Sequence, residues 1–212
     1  MQTDDTKPRT RDRVRTREHI LEAARQEFAA KGFEGARTDD IARRANVSKR
    51  MPYHYFHNKD GLFQAVLERT YTEIREAEKA LELSSRDPME AMAELVVFSF
   101  DWFNDNPTFI PILNAENLLE AVHAESSEAV RRLNTPLVDA ISELLKRGVA
   151  SGQMRADVDP VELYISIAGI SYFYFSNQRT LSAIFARKLG SKEELARRRA
   201  HVSDIILGYL RP

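Results

Sequence analysis

Residues 38–56 read TDDIARRANVSKRMPYHYF, and this stretch decides the fold. It predicts two short helices, over 38–44 and 49–56, joined by a tight turn at Ala45-Asn46-Val47. A supporting helix is predicted before them, over about 16–31, because apolar residues recur there at three-and-four spacing. Three helices in this order are typical of a trihelical helix-turn-helix unit.

Local chemistry predicts where these helices begin and end. Gly32 predicts a left-handed stop for the first helix. Thr38, Ser48 and Asn58 predict side-chain caps for the second, third and fourth helices. Pro52, at about the fourth position of the third helix, lacks an N–H group and predicts a tightened first turn.

The rest of the chain also shows helical patterns, and about nine helices in total predict an all-α protein. The later helices are predicted over residues 88–104, 109–122, 127–151, 161–175 and 192–210. Pro111 is predicted to kink its helix, and Pro136 to mark a kink or a boundary. Ser191 is predicted to cap the last helix.

The composition excludes several classes of protein. Of the 212 residues, 43% are hydrophobic and 30% charged, which is typical of a globular protein that buries a core. No apolar run approaches the roughly 18 residues that span a bilayer, and the polar, Arg-rich first residues are unlike a secretory signal. With no cysteine, disulfides and thiolate metal sites are excluded, and a cytoplasmic location is expected.

The charge is unevenly distributed. Residues 1–60 carry 14 basic and 10 acidic side chains, and the rest of the chain carries 17 basic and 22 acidic ones. A basic N-terminal part predicts a polyanionic partner. Lys49, Arg50 and Lys59 are predicted in the first turns of two helices, where the helix dipole disfavours cations. Phosphates beside them would explain this placement, and solvated surface charges are the alternative.

A set of residues at fixed spacings carries a resemblance to a known family. They are ILEAA at 20–24, Phe28, Gly32-Phe33, Ile41-Ala42, ANVS at 45–48, YHYF at 53–56 and Lys59. On these residues the chain resembles the tetracycline-repressor (TetR) family of bacterial transcription regulators, over about residues 16–66. It departs from the family pattern at Asn46, in place of a turn glycine, and at Pro52, in place of an apolar residue. Asp39 and Asp40 disfavour phosphate at the second helix, so base reading is expected from the third.

The resemblance implies both architecture and function. The implied architecture is a flexible basic arm (1–15), a helix-turn-helix DNA-binding domain (16–60) and a helical effector-binding and dimerisation domain (61–212). The implied function is a repressor that binds a near-palindromic, double-stranded operator as a homodimer and is released by a small-molecule effector. Activation is the alternative direction. A helical enzyme or a protein-interaction module without DNA binding is the rival class.

Nine residues are predicted to contact DNA, from the resemblance and from their chemistry. They are Arg37, Thr38, Ser48, Lys49, Arg50, Tyr53, His54, Tyr55 and Lys59. Arginine paired with guanine is the commonest specific base contact. Tyr55 has a second interpretation as a core residue. The arginines between residues 9 and 17 either enter a minor groove as an arm or form a disordered, solubilising tail.

Nine further residues are predicted to line an effector pocket, because aromatic walls with a few polar groups are typical of such sites. They are Phe98, Trp102, Phe103, Phe109, Leu113, Asn117, Tyr164, Tyr172 and Phe175. For each of them, ordinary core packing is the alternative. An aromatic effector is a hypothesis that rests on this lining alone.

The last two long helices are predicted to form the dimer interface, as a four-helix bundle about a two-fold axis. Residues 163–175 are apolar nearly all round and are expected to be buried on several faces. Packing within one chain is the alternative explanation. The run Arg197-Arg198-Arg199 is explained by helix salt pairs with preceding glutamates.

No pattern predicts catalysis. The sequence has no glycine-rich phosphate loop, no nucleophile elbow and no paired-histidine zinc helix. His54 and His57 lie three residues apart without a third ligand nearby. We therefore expect that the chain is not an enzyme and that it needs neither a metal nor a cofactor.

Overall fold

The structure is a computed structural model that describes the backbone of residues 7–212 and the side chains of residues 12–212. In that part of the chain, all regular structure is helical, which confirms the predicted all-α class. The α-helices are α1 (Lys7–Gly35), α2 (Thr38–Arg44), α3 (Met51–Phe56), α4 (Lys59–Lys79), α5 (Pro88–Asp105), α6 (Phe109–Leu118), α7 (Val122–Ser126), α8 (Glu128–Ala150), α9 (Pro160–Ser176), α10 (Gln178–Ile184) and α11 (Lys192–Leu210). These described helices exceed the predicted nine because α7 and α10 are too short to show an apolar period.

Helix α1 begins earlier than predicted. Its backbone is helical from Lys7, so only the first part of the arm predicted over 1–15 lies outside the described residues. Arginine is a good helix former, and Pro8 is tolerated in a first turn. Gly32 breaks the helix as predicted, but with φ 69° and ψ 179° it lies in an extended region open to glycine alone. It is therefore not the left-handed stop that was expected.

The predicted caps were right where a side chain faces its own helix. Asn58 accepts a hydrogen bond from the Gly61 N–H at 2.7 Å, and Ser191 accepts one from the Glu194 N–H at 3.4 Å. The predicted caps Thr38 and Ser48 are wrong, because the residues before α2 and α3 are Arg37 and Arg50, and neither helix has a side-chain cap.

Both internal prolines are accommodated. Pro136 lies inside the continuous helix α8 and is not a helix boundary. Pro111 is the third residue of α6, where its N–H group would have no intrahelical partner.

The chain divides into two compact units. The head unit contains the described residues up to Thr70 and the segment Pro111–Val130; the body unit contains Tyr71–Ile110 and Arg131–Pro212. In the head unit, the Phe28 and Phe63 rings meet edge to face at 5.0 Å, and both are fully buried. The predicted boundary at residue 60 stays a prediction.

Helices α9 and α11 of the body unit each have one buried and one exposed apolar face. The buried residues are Leu163, Ile167, Ser171, Tyr174, Val202, Ile206 and Leu210. The exposed residues are Val161, Ile165, Phe173, Ile205 and Tyr209. Within one chain, residues 163–175 are thus buried on one face only, and their burial on a second face in a dimer stays a prediction. The apolar residues of α11 likewise divide between a buried and an exposed face.

Candidate nucleic-acid interface

The turn between α2 and α3 is tight, as the sequence predicts. Asn46 adopts the left-handed conformation with φ 55°, which asparagine tolerates better than most residues. The Val47 N–H bonds to the Ala42 carbonyl at 3.0 Å, and the Ala45 N–H bonds to the Ile41 carbonyl at 2.9 Å. Because Ile41 and Ala42 are buried, these bonds tie the approach to α3 to the core of the head unit.

Helix α3 starts two residues later than predicted. A single tight turn precedes it, in which the Met51 N–H bonds to the Ser48 carbonyl at 2.9 Å. Pro52 is the second residue of α3, not about the fourth, and there its missing N–H removes no intrahelical bond. Lys49 and Arg50 therefore lie just before the helix.

Two polar contacts join the start of α2 to α3 and to the turn before it. The Lys49 Nζ lies 2.7 Å from the Asp39 Oδ2, and the Thr38 and Tyr53 hydroxyls are hydrogen-bonded at 2.7 Å. The Lys49 side chain is nevertheless 75% exposed. Exposed ion pairs contribute only about 0–1 kcal/mol, so Lys49 can exchange Asp39 for another anion at little cost.

The other predicted DNA-contact residues of this region also lie at the surface. Arg37, Ser48, Arg50 and His54 are exposed. Arg50 has no ion-pair partner among the described side chains. Tyr55 is half-buried, with its ring centroid 5.2 Å from that of His54. It therefore fits neither a pure core position nor a fully exposed one.

Lys59 has partners within the head unit. It is half-buried, its Nζ lies 4.6 Å from the centroid of the Phe33 ring, and it donates to the Glu34 carbonyl at 3.3 Å. A ring face and a carbonyl both stabilise a cation. The position of Lys59 at the start of α4 is thus explained in part without a phosphate, and DNA contact stays a prediction.

A buried histidine of the head unit was missed by sequence reasoning. The His123 Nδ1 lies 2.9 Å from the Glu116 Oε2, its Nε2 lies 3.5 Å from the Asp60 Oδ1, and its ring lies 5.0 Å from that of Phe63. His123 thus joins α7 to α6 and to the start of α4. No period in the sequence marks this contact, because its members come from separate helices.

The predicted effector residues are divided between the two units. Leu113 and Asn117 belong to the head unit, and the other seven to the body unit. Phe103 and Phe109 are buried with their rings 5.4 Å apart, and the rings of Phe98 and Trp102 are 5.7 Å apart.

The remaining members of that set differ in exposure. Tyr164, Tyr172 and Phe175 are half-buried, whereas Asn117 is exposed. The Phe175 ring packs 4.8 Å from that of Phe100, a core residue. The structure therefore brings some of the predicted set together in aromatic pairs, without testing their role in binding.

The body unit also buries an ion pair that sequence reasoning missed. The Arg75 Nη1 lies 2.6 Å from the Glu78 Oε2, and the two side chains are only 3% and 5% exposed. The Arg75 Nη2 donates to the Tyr164 hydroxyl at 3.0 Å. Burial raises the pKa of the Glu78 carboxyl to about 7, although the Arg75 charge opposes this rise. The sequence shows that Arg75 and Glu78 lie three positions apart on one helix, but it does not show that both side chains are buried.

Two further findings limit the chemistry of the described residues. They contain no group of three or more histidine, cysteine, aspartate or glutamate side chains that could hold a metal ion. None of the described helices combines the length and the apolarity that a membrane span requires.

Two stretches of the chain match known families. Residues 20–66 match the bacterial regulatory proteins of the tetR family, and residues 88–206 match the tetracyclin repressor-like C-terminal domain. The HTH-type transcriptional repressor NicS of Pseudomonas putida is 38% identical over 211 residues, which cover 100% of both chains.

More distant similarity extends over nearly the same length. The HTH-type transcriptional regulator RutR of Escherichia coli is 28% identical over 193 residues, which cover 91% of this chain and 89% of RutR. Among solved structures, protein SCO4942 of Streptomyces coelicolor matches with a TM-score of 0.71 at 26% identity, covering 93% of this chain and 99% of that one.

Proposed function

The chain belongs to the tetR family of bacterial regulatory proteins, and from that premise we propose that it represses transcription as a ligand-responsive homodimer on a near-palindromic operator. NicS, its relative over the full length, is named a repressor, which favours repression over activation here. Family membership also favours a regulator over a helical enzyme or a protein-interaction module. A bacterial regulator meets its DNA in the cytoplasm, which is therefore the proposed location.

The exposed cations at the start of α3 carry the DNA-binding part of this proposal. Arg50 stands at the N-cap of α3, and no carboxylate among the described side chains pairs with it, so its guanidinium is available for a guanine in the major groove. Lys49 and Arg37 are exposed and suit phosphates. The Thr38 and Tyr53 hydroxyls bond to each other, which leaves one of the two with a proton to donate to a phosphate.

The remaining predicted contacts fit the same surface to different degrees. His54 and Ser48 are exposed, Tyr55 is half-buried, and Lys59 already has partners in the head unit. We therefore expect the strongest DNA contacts from Arg50 and Lys49, and weaker ones from Tyr55 and Lys59.

The exposed faces of α9 and α11 support dimerisation through these helices. Ile165 and Phe173 are 55% and 57% exposed, and Tyr209 is 50% exposed. A methyl group added at Gly169 or Gly208 would meet no atom within 4 Å, so both glycines leave room for a second helix to approach. Two such helices and their mates form a four-helix bundle, in which each subunit buries the same face.

Effector control is proposed for the helices that follow α3. In the body unit the Trp102 Nε1 and the Arg75 Nε are buried without a hydrogen-bond partner. An unsatisfied buried polar group costs about 1–3 kcal/mol, and a ligand that bonds to it recovers part of that cost. Binding would favour a conformer whose α3 helices no longer match half-sites about 34–36 Å apart, which is a population shift between two states.

A gel-shift assay tests the proposal, with the full chain and promoter fragments that include its own upstream region. A repressor forms a complex with one or a few fragments, and the complex weakens steeply as salt rises because phosphate contacts release counterions. Footprinting of that complex is expected to show two protected half-sites centred about 10–10.5 base pairs apart, or a multiple of this spacing. Binding to no fragment, or equal binding to all fragments, contradicts the proposal.

A further inference from the structure

A small cavity in the body unit opens beside the buried Arg75–Glu78 pair. Its volume is about 60 Å³. Arg75, Glu78 and Lys79 form its polar wall, from the last turns of α4. The apolar wall consists of Leu83, Leu133, Pro136, Leu137 and Ala140. The cavity therefore has one charged end and one hydrocarbon end, both within a single compact unit.

Arg75 has more hydrogen-bonding capacity than its neighbours satisfy. Among the described residues, its Nη2 donates a well-formed bond to the Tyr164 hydroxyl. Its Nε has no hydrogen-bond partner in that part of the chain, and its Nη1 lies close to Glu78 without hydrogen-bond geometry. A guanidinium has five N–H donors in a fixed plane, and buried charged groups normally have all such donors bonded. These two groups can therefore donate to an acceptor that enters the cavity.

The chemistry of the cavity limits the missing acceptor. An acceptor for arginine is an anion, and the planar fork of a guanidinium matches a carboxylate or a phosphate. A phosphate dianion would lie against the Glu78 carboxyl and would be repelled more strongly than a monoanion. The apolar wall fits a short hydrocarbon group, and the volume excludes a bulky one.

We propose that this cavity binds the carboxylate of a small aliphatic monocarboxylate, with Arg75 as its anchor and the apolar wall of α8 around its hydrocarbon part. This inference rests on the proposed effector control, because it assigns a chemical class to the effector or to the part of it that enters here. Glu78 positions Arg75 and competes with the ligand for it.

Thermal unfolding of the full chain without DNA tests the proposal. The probes are sodium acetate, propionate and butyrate, each compared with its uncharged amide and with sodium chloride at equal ionic strength. At about tenfold excess over the dissociation constant, a bound carboxylate raises the Tm by roughly 3 °C or more. The amides and chloride are expected to leave the Tm unchanged.

The variant Arg75→Gln is expected to lose the carboxylate-dependent rise. Arg86→Gln is the matched control, because Arg86 is a half-exposed arginine of the same unit, paired with Glu94 at 2.7 Å, and it should retain the rise. If Arg75→Gln does not fold, the comparison of each carboxylate with its amide on the unaltered chain still decides. Equal shifts by acid and amide, or no saturable shift by any carboxylate, overturn the proposal.

Gel shifts with the same proteins separate this inference from the proposed function. Arg75→Gln, once folded, is expected to bind promoter DNA, since Arg75 lies outside the head unit. If the chain binds DNA but no carboxylate raises its Tm, the carboxylate site is overturned and the proposed repressor function stands. If a carboxylate raises the Tm of a chain that binds no DNA, the carboxylate site is supported and the proposed repressor function is contradicted.

Discussion

The start of α3 and the end of α4 both place a cation against a carboxylate, at nearly the same distance. Lys49 and Asp39 are 2.7 Å apart, and Arg75 and Glu78 are 2.6 Å apart. The difference is access to water, because the first two side chains are 75% and 47% exposed and the second two are 3% and 5% exposed. An exposed pair contributes about 0–1 kcal/mol, whereas each ion removed from water costs several kcal/mol.

The same contact therefore has opposite consequences in the two regions. At the surface, a phosphate can replace Asp39 as the partner of Lys49 with little loss of free energy, so the pair does not prevent Lys49 from binding DNA. In the body unit both side chains are almost fully buried, and the burial that raises the pKa of Glu78 to about 7 favours its protonated form. An exposed pair can thus exchange one partner for another anion at little cost, whereas a change at a buried pair alters stability.

The largest expected effect concerns Glu78 and pH. Because its pKa is raised from 4.5 to about 7 in the folded chain, the folded state binds this proton more tightly than the unfolded state does. The contribution of Glu78 to the free energy of unfolding is then greatest below about pH 4.5, falls as pH rises to about 7, and stays constant above. The total loss is roughly 3 kcal/mol. Glu78→Gln, which cannot ionise, should lack this loss.

Urea unfolding of both proteins between pH 4.5 and pH 8.5 measures the effect. The two should be similar in stability at the acidic end, and Glu78→Gln should become the more stable one as pH rises. Taking the difference between the two proteins removes the contributions of all other titrating groups. Parallel pH profiles would show that Glu78 ionises normally and that Arg75 compensates its burial.

The sequence predicts contacts within one helix or turn better than it predicts contacts between helices. Asn58 and Ser191 were predicted as caps because a cap bonds to its own helix, within three residues. The tight turn at Asn46 was predicted for the same reason. Ser48 failed as a cap because the structure uses its carbonyl, not its side chain, to start the turn before α3. Helix propensity alone does not distinguish a serine that caps a helix, such as Ser191, from one that does not, such as Ser48.

Contacts between helices could not be predicted in the same way. Asp39 lies ten positions from Lys49, and Tyr164 lies 89 positions from Arg75. His123 meets Glu116, seven positions away, and Asp60, 63 positions away, in the head unit. The helix-turn-helix was recognisable because its spacings are local and fixed. The contacts of the buried polar groups depend on how the helices pack together. They join residues far apart in the chain, so no local sequence pattern predicts them.

The next effect in size concerns Arg50 and DNA. Arg50→Ala should weaken operator binding by about 1–3 kcal/mol, roughly 5- to 150-fold, because one bidentate base contact is lost. The free energy of unfolding should change little, since Arg50 is exposed and has no ion-pair partner among the described side chains. Fluorescence anisotropy with a labelled operator, at one fixed salt concentration, gives the affinities.

Arg197→Ala is the matched control for Arg50→Ala, because it removes the same charge from an exposed arginine that pairs with Glu194 on α11 at 2.9 Å. Its operator affinity should remain within about twofold of the unaltered chain. An equal loss from both variants would mean that overall charge, and not contact at α3, governs binding.

The smallest expected effect tests the exposed pair itself. Asp39→Asn removes the carboxylate that holds Lys49 and that faces the same anions, so operator affinity should rise by roughly two- to fivefold while stability changes by less than about 1 kcal/mol. Asp40→Asn is the control, because Asp40 lies on the same helix but pairs with Lys31 at 3.2 Å and with Arg43 at 2.6 Å. If release of Lys49 matters, only Asp39→Asn strengthens binding beyond the general gain from one lost negative charge. Equal gains from both variants would mean that Lys49 was already free to serve DNA, and the surface pair would then have no influence on binding.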